Sequence, residues 1–243
     1  MADRKEALGD DFVPESIGTQ NEKSFHHRIK QAICPDETCH EFPIGRFIAD
    51  IYRDGHIWEI QTGSFRSLRN KLTQLLPNYP ITIVYPLAKR TTISVTDENG
   101  ILLPPRRSPK IGNPLSIGKE LQAIRDLLRH PHLDILIYYS DIMEYRSKTA
   151  VPAGRKPFVR IDRYPQGEPI LIPLKTKEDY QKLLPEVLPD PFTVKKFAKA
   201  AKLSQGVAQM VITAYRSLEV IFHVGKTGRA YLYSLHPNEK ERL

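Results

Sequence analysis

Asp50 and Glu59 flank the stretch DIYRDGHIWE, which has Asp54-Gly55 at its centre. An Asp-Gly pair favours the type I′ turn of a two-residue hairpin, where both central residues take positive φ. Counting outward from that turn pairs Arg53 with His56, Tyr52 with Ile57, Ile51 with Trp58, and Asp50 with Glu59. Directly opposed side chains of an antiparallel pair have Cβ atoms about 5 Å apart, and like charges there repel unless something compensates them. A divalent cation would do so. Mg²⁺ and Mn²⁺ are hard ions that take carboxylate, water and phosphate oxygens, so Asp50 and Glu59 are the candidate metal ligands. The alternative is two solvated acids on an exposed sheet face. Strand alternation puts Ile48 and Gln61 on the same face and turns Ile51, Trp58 and Ile60 toward a core.

Further groups surround this pair in sequence. Gln61 can hydrogen-bond but can neither act as a general base nor carry charge at neutral pH. Lys71, ten residues on, could supply a cation to the pair, or could bind phosphate alongside Arg66 and Arg69 as a solvated lysine. His26 lies four residues after Glu22 and shares its helix face, which would let it approach a metal; a packing or surface role is the plainer expectation. Cys34 and Cys39 are the only cysteines, in CPDETC followed by His40. Their spacing matches no common zinc motif, and two cysteines give no disulfide framework, as in proteins of reducing compartments.

The elements that must position these residues follow from periodicity. Phe25, Ile29 and Ile33 make an apolar stripe on a helix over 21–33. The hairpin follows, then a helix capped by Ser64 that places Phe65, Leu68, Leu72, Leu75 and Leu76 on one face and stops near Pro77. The strand ITIVY comes next. Helix, strand, strand, helix, strand predicts an α/β fold on a mixed sheet flanked by helices. Beyond it, Ile117, Leu121, Ile124 and Leu128 predict a helix over 116–129, and LDILIYY a buried strand. The Pro-, Arg- and Gly-bearing stretch 148–169 reads as a loop or arm.

Three prolines in LPEVLPDP mark a stiff linker at 186–191. After it, Thr193 opens a helix, Leu203-Ser204 makes a turn, Gln205 starts a second helix, and two alternating strands surround Gly225-Lys226-Thr227-Gly228. The expected organisation is a flexible tail (1–20), a first domain (21–185, with its core at 21–86), the linker, and a small domain (192–243).

Glu22 on the first helix, then D-x8-E-I-Q on a hairpin followed by a basic helix and a strand, resemble the restriction-endonuclease-like PD-(D/E)XK nuclease core over residues 21 to about 86. The resemblance implies Asp50 and Glu59 as ligands of Mg²⁺ or Mn²⁺, Gln61 at the position usually held by a catalytic lysine, and Glu22 as the first-helix acid. It implies metal-dependent hydrolysis of phosphodiester bonds. Gln61 departs from the usual lysine, although some active members carry glutamine there. The C-terminal segment is similar to winged helix-turn-helix domains. That similarity implies DNA contacts from Lys202, Ser204, Gln205 and Gln209 at the second helix, and from Lys226, Thr227 and Arg229 on the wing.

Charge agrees with a polyanionic partner. The net charge is +8, and the segment from Phe192 onward holds nine Lys and Arg against three Glu. No apolar run approaches the roughly 18 residues that span a bilayer, and the N-terminus lacks the apolar core of a secretion signal. A membrane partner is therefore not expected, and a cytoplasmic protein is. The leading expectation is an endodeoxyribonuclease delivered to DNA by the C-terminal domain, with a homodimer left open. A second is a DNA-binding or regulatory protein that keeps the nuclease fold without catalysis. A third is an assembly or defence-system subunit whose C-terminal domain binds protein.

Overall fold

In a computed structural model, described for residues 21–148 and 158–237, a seven-stranded mixed sheet carries the candidate site. Its strands are β1 (His40–Ile44), β2 (Phe47–Arg53), β3 (His56–Ile60), β4 (Ile81–Thr96), β5 (Arg106–Ile111), β6 (Leu133–Lys148) and β7 (Phe158–Leu174). They run in the order β1-β2-β3-β4-β6-β7, and β5 pairs with β4. β3, β4 and β6 are mutually parallel, and the other pairings are antiparallel. The helices are α1 (Asn21–Ile33), α2 (Arg69–Leu75), α3 (Gly118–Leu121), α4 (Lys177–Gln181), α5 (Val194–Ala200) and α6 (Gln205–Ser217); a hairpin, β8 (Phe222–Thr227) and β9 (Ala230–Ser234), follows. None of the described helices is long and apolar enough to cross a membrane.

The β2–β3 turn forms as its sequence requires. Asp54 has φ +52° and Gly55 φ +78°, and the register pairs Ile51 with Trp58, Tyr52 with Ile57 and Arg53 with His56. Ser64 caps the next segment by accepting from the Arg66 N–H; that segment begins as a 3-10 turn over Phe65–Leu68 before continuing as α2.

Alternation along the strands divides the interior into two clusters. Ile57, Ile81, Ile83, Ile135 and Ile137 pack with α2, α3, α5 and α6, whereas Ile51, Ile60, Val84, Tyr138 and Ile142 pack with Phe25 and Ile29 of α1. Both faces of the hairpin are therefore covered, and Glu59 is only 4% exposed. The alternative of two solvated acids does not hold for Glu59, which α2 covers, while the Asp50 side chain stays 18% exposed.

Three expectations from the sequence differ in the fold. Residues 158–169, read as loop, belong to the long strand β7, while 149–157 lie outside the described residues. β7 is an edge strand, so Pro165 and Pro169 need not donate to a second neighbour, and its ladder shifts register around Gly167 at φ +63°. The short strand ITIVY extends to Thr96 through Pro86, which is tolerated because β3 pairing ends at Val84 and β5 pairing starts at Arg90. The helix expected over 116–129 is broken into a 3-10 turn from Pro114, the single turn of α3, and another 3-10 turn, although Ile117, Leu121, Ile124 and Leu128 are all buried.

Residues on either side of 186–191 share one core. Val211, Ile212 and Tyr215 of α6 join the same cluster as Leu72, Leu121 and Ile135. Gly118 lies so close to α6 that a Cβ there would stand 2.7 Å from the Val211 Cα. Asn113 donates to the Ala201 carbonyl at 2.8 Å, and Glu219 accepts from both Arg129 and Lys177. The Pro-rich stretch is a connector on this shared body, with Val187 84% exposed.

Candidate active site

The β2–β3 ladder ends at Ile51 and Trp58, and beyond it side chains replace backbone pairing. Asp50 Oδ2 accepts from the Ile60 N–H at 2.8 Å, and Glu59 Oε1 accepts from the Asp50 N–H at 3.4 Å. Each carboxylate thus holds the opposite strand's backbone. The outward count from Asp54-Gly55 matches the recorded register as far as Ile51 and Trp58, and Asp50 and Glu59 meet just past its end through these side-chain contacts.

Each acid then meets a different helix. His26 Nε2 on α1 lies 3.1 Å from both Asp50 Oδ2 and the Ile60 carbonyl oxygen. Burial works against charge on His26, but the hydrogen bond and negative charge of Asp50 outweigh it and raise its pKa above 6.5. Lys71 Nζ on α2 lies 2.5 Å from Glu59 Oε1 and donates to the Ile48 carbonyl at 2.5 Å. Burial, and then the charge of Asp50, push the Glu59 carboxyl up to about 7, even though Lys71 pulls the other way.

Gln61 is not part of this arrangement. Its amide donates to the Ser64 carbonyl at 3.0 Å and to Ser67 Oγ at 3.1 Å, so it braces the turn into α2. The positive group beside the acids is Lys71, one of the two alternatives the sequence left open. The Glu22 side chain lies outside the described residues. Sequence reasoning missed the Ile60 carbonyl, since backbone groups leave no trace in residue type.

The other nominated residues sit elsewhere. Arg69 is committed to Asp126 through two 2.6 Å bonds, while Arg66 is exposed at the rim of a groove. Ser204 caps α6 by accepting from the Val207 N–H, next to Lys202 at φ +54°. Lys202, Gln205 and Gln209 are exposed, as are Lys226, Thr227 and Arg229 on the β8–β9 hairpin. Lys226 lies over the Tyr231 ring, 4.9 Å from its centroid. Cys34 and Cys39 are free thiols, and among the described residues no group of three or more His, Cys, Asp and Glu is placed to hold a metal.

Asp50 and Glu59 are the two carboxylates that could take part in holding a hard cation. The Asp50 Oδ2 and Ile60 carbonyl oxygens converge on one nitrogen, that of His26, and the adjacent Glu59 carboxylate is pressed by Asp50 and partly relieved by Lys71. All three donors are oxygens, the class that Mg²⁺ and Mn²⁺ select.

No solved structure matches this chain. It is similar to an uncharacterized protein of Treponema pallidum (strain Nichols), with 32% identity over 151 residues, 61% of this chain and 60% of the relative. The chain thus spans less than two thirds of that relative's length. A family model matches residues 23–167, a range that contains His26, Asp50, Glu59 and Lys71 and stops before α4. The chain belongs to the family described as Domain of unknown function (DUF8091).

Proposed function

We propose that this protein is a metal-dependent nuclease of the PD-(D/E)XK type, in which Asp50 and Glu59 hold Mg²⁺ or Mn²⁺ and Lys71 takes the part usually played by the motif lysine. The observation that carries this reading is the buried Glu59–Lys71 pair beside Asp50, two acids and a lysine gathered from β2, β3 and α2. Such a metal supplies Lewis acidity toward a phosphodiester when bound. The chain's own groups do the rest. His26 and the Ile60 N–H fix the Asp50 carboxylate, Lys71 brings positive charge to where a phosphate's negative charge would grow, and the partly exposed side of Asp50 leaves a path for the water that hydrolysis consumes.

The C-terminal helices and hairpin act in this reading as a winged helix that binds DNA. Exposed Gln205 and Gln209 on α6, with Lys226 and Arg229 on the hairpin, support it. A fold without catalysis is the second reading, favoured by the commitment of Gln61 to Ser64 and Ser67.

Incubation with plasmid, linear and branched DNA in millimolar Mn²⁺ separates the two. Cleavage by the wild type that disappears in Asp50→Asn and Glu59→Gln supports the nuclease. Cleavage absent from the wild type, or unchanged in both variants, overturns it.

A further inference from the structure

An open groove of about 1020 Å³ begins where the loop Thr62-Gly63-Ser64 leaves β3, three residues after Glu59. Its other lining comes from Arg66 and Arg69, from residues within Lys119–Asp126, and from Tyr85 of β4 and Met210 of α6. Four cations and two acids line it, but the acids are already engaged. Asp126 is held by both terminal nitrogens of Arg69, which keep its carboxyl below the ordinary range. Glu120 is buried and turns inward to accept from the Phe65 N–H at 3.3 Å.

Arg66 and Arg125 form no salt bridge with any described residue, and both are exposed. Lys119 is 59% exposed at its side chain and stands 3.5 Å from Glu120. The groove therefore carries four cations against two acids, with Arg66 outside any ion pair among the described residues and Lys119 and Arg125 each near one of the acids. Met210, the residue after the exposed Gln209, brings α6 into the groove wall.

We infer that this groove binds the phosphates of a nucleic-acid strand through Arg66, Lys119 and Arg125. The inference deepens the nuclease reading and rests on it for the role of the bound strand as substrate. Binding itself does not require cleavage. Guanidinium groups suit this role because each offers a planar fork of donors to phosphate oxygens.

The test uses the full chain with fluorescently labelled single-stranded DNA, duplex DNA and single-stranded RNA of one sequence, in EDTA, by anisotropy at several salt concentrations. Arg66→Ala with Arg125→Ala should weaken binding to at least one probe about 10-fold or more and reduce the salt slope by about two. Arg66→Lys with Arg125→Lys, which keeps the charge, should recover part of the affinity. Arg106→Ala with Arg107→Ala on β5 removes the same charge from an exposed edge and should bind as the wild type does.

Wild-type binding by the Ala groove variant, or equal loss in the β5 variant, overturns the inference. Groove-dependent binding without Mn²⁺-dependent cleavage removes the nuclease reading and leaves the groove standing. Cleavage with unchanged KM in the groove variant does the reverse.

Discussion

Lys71 and Glu59 form an ion pair of 2.5 Å in which the lysine side chain is 14% exposed and the glutamate side chain 5%. Neither partner is solvated enough to be a surface pair of little consequence, and each is the other's compensation for burial. Because Asp50 presses on the same carboxylate, Lys71 determines how much negative charge the site can hold.

Lys71→Met should therefore destabilise the protein by about 3 kcal/mol at pH 8, where Glu59 would be left buried, charged and unpaired. At pH 5, with Glu59 protonated, the loss should shrink to about 1 kcal/mol, the scale of one hydrogen bond. Urea unfolding at the two pH values measures the difference. Equal losses would show that Lys71 contributes packing alone.

Glu59 also gives the fold its own pH dependence. Its folded pKa of about 7 lies above the ordinary 4.5, so the folded state binds this proton more tightly than the unfolded chain. The resulting stability is fully present below 4.5 and is lost as pH rises through about 7. The shift corresponds to roughly 3 kcal/mol. Glu59→Gln should flatten the stability profile between pH 5 and 8, as read from denaturant midpoints.

For His26, burial opposes the charge but Asp50 prevails, and the raised pKa means that this pair stabilises the fold most below 6.5 and least above the raised value. His26→Ala should lower Tm more at pH 5.5 than at pH 8.5. A larger loss at the higher pH would place the contribution in packing against α1.

A divalent ion should relieve the pressure between the two acids. Millimolar Mn²⁺ is expected to raise Tm of the wild type and to leave Asp50→Asn and Glu59→Gln unmoved, by linkage of binding to folding. Scanning calorimetry with and without the metal checks this; stabilisation that survives in both variants would move the metal elsewhere.

Gly118→Ala should test the shared core. Its new Cβ would meet the Val211 Cα and Cγ2 at 2.7 Å, and a backbone neighbour cannot swing aside. A loss of about 1–3 kcal/mol is expected, with α6 and the sheet still unfolding in one transition, as followed by circular dichroism and by Trp58 fluorescence. Two separated transitions would show that the halves are independent.

The hairpin was readable because its determinants are neighbours in the chain. Asp54-Gly55 specifies positive φ twice, and the turn specifies the register through Ile51 and Trp58, next to which Asp50 and Glu59 lie. The caps at Ser64, Thr193 and Ser204, and the two strands around Gly228, are local in the same sense. β7 was not readable, since its prolines suit a strand only at a sheet edge, and edge position is a property of the whole sheet.

What sequence alone determined here is the turn that sets Asp50 and Glu59 on neighbouring strands and the elements that carry them. Tertiary structure decided which cation stands beside that pair. Lys71 reaches Glu59, and Gln61 turns to Ser64 and Ser67, because α2 packs over the face of β3 that carries Glu59. The groove likewise joins Arg66 to Arg125 and Met210, residues far apart in the chain. Turn chemistry acts over two to four residues, whereas such meetings depend on how apolar faces stack, which no local pattern encodes.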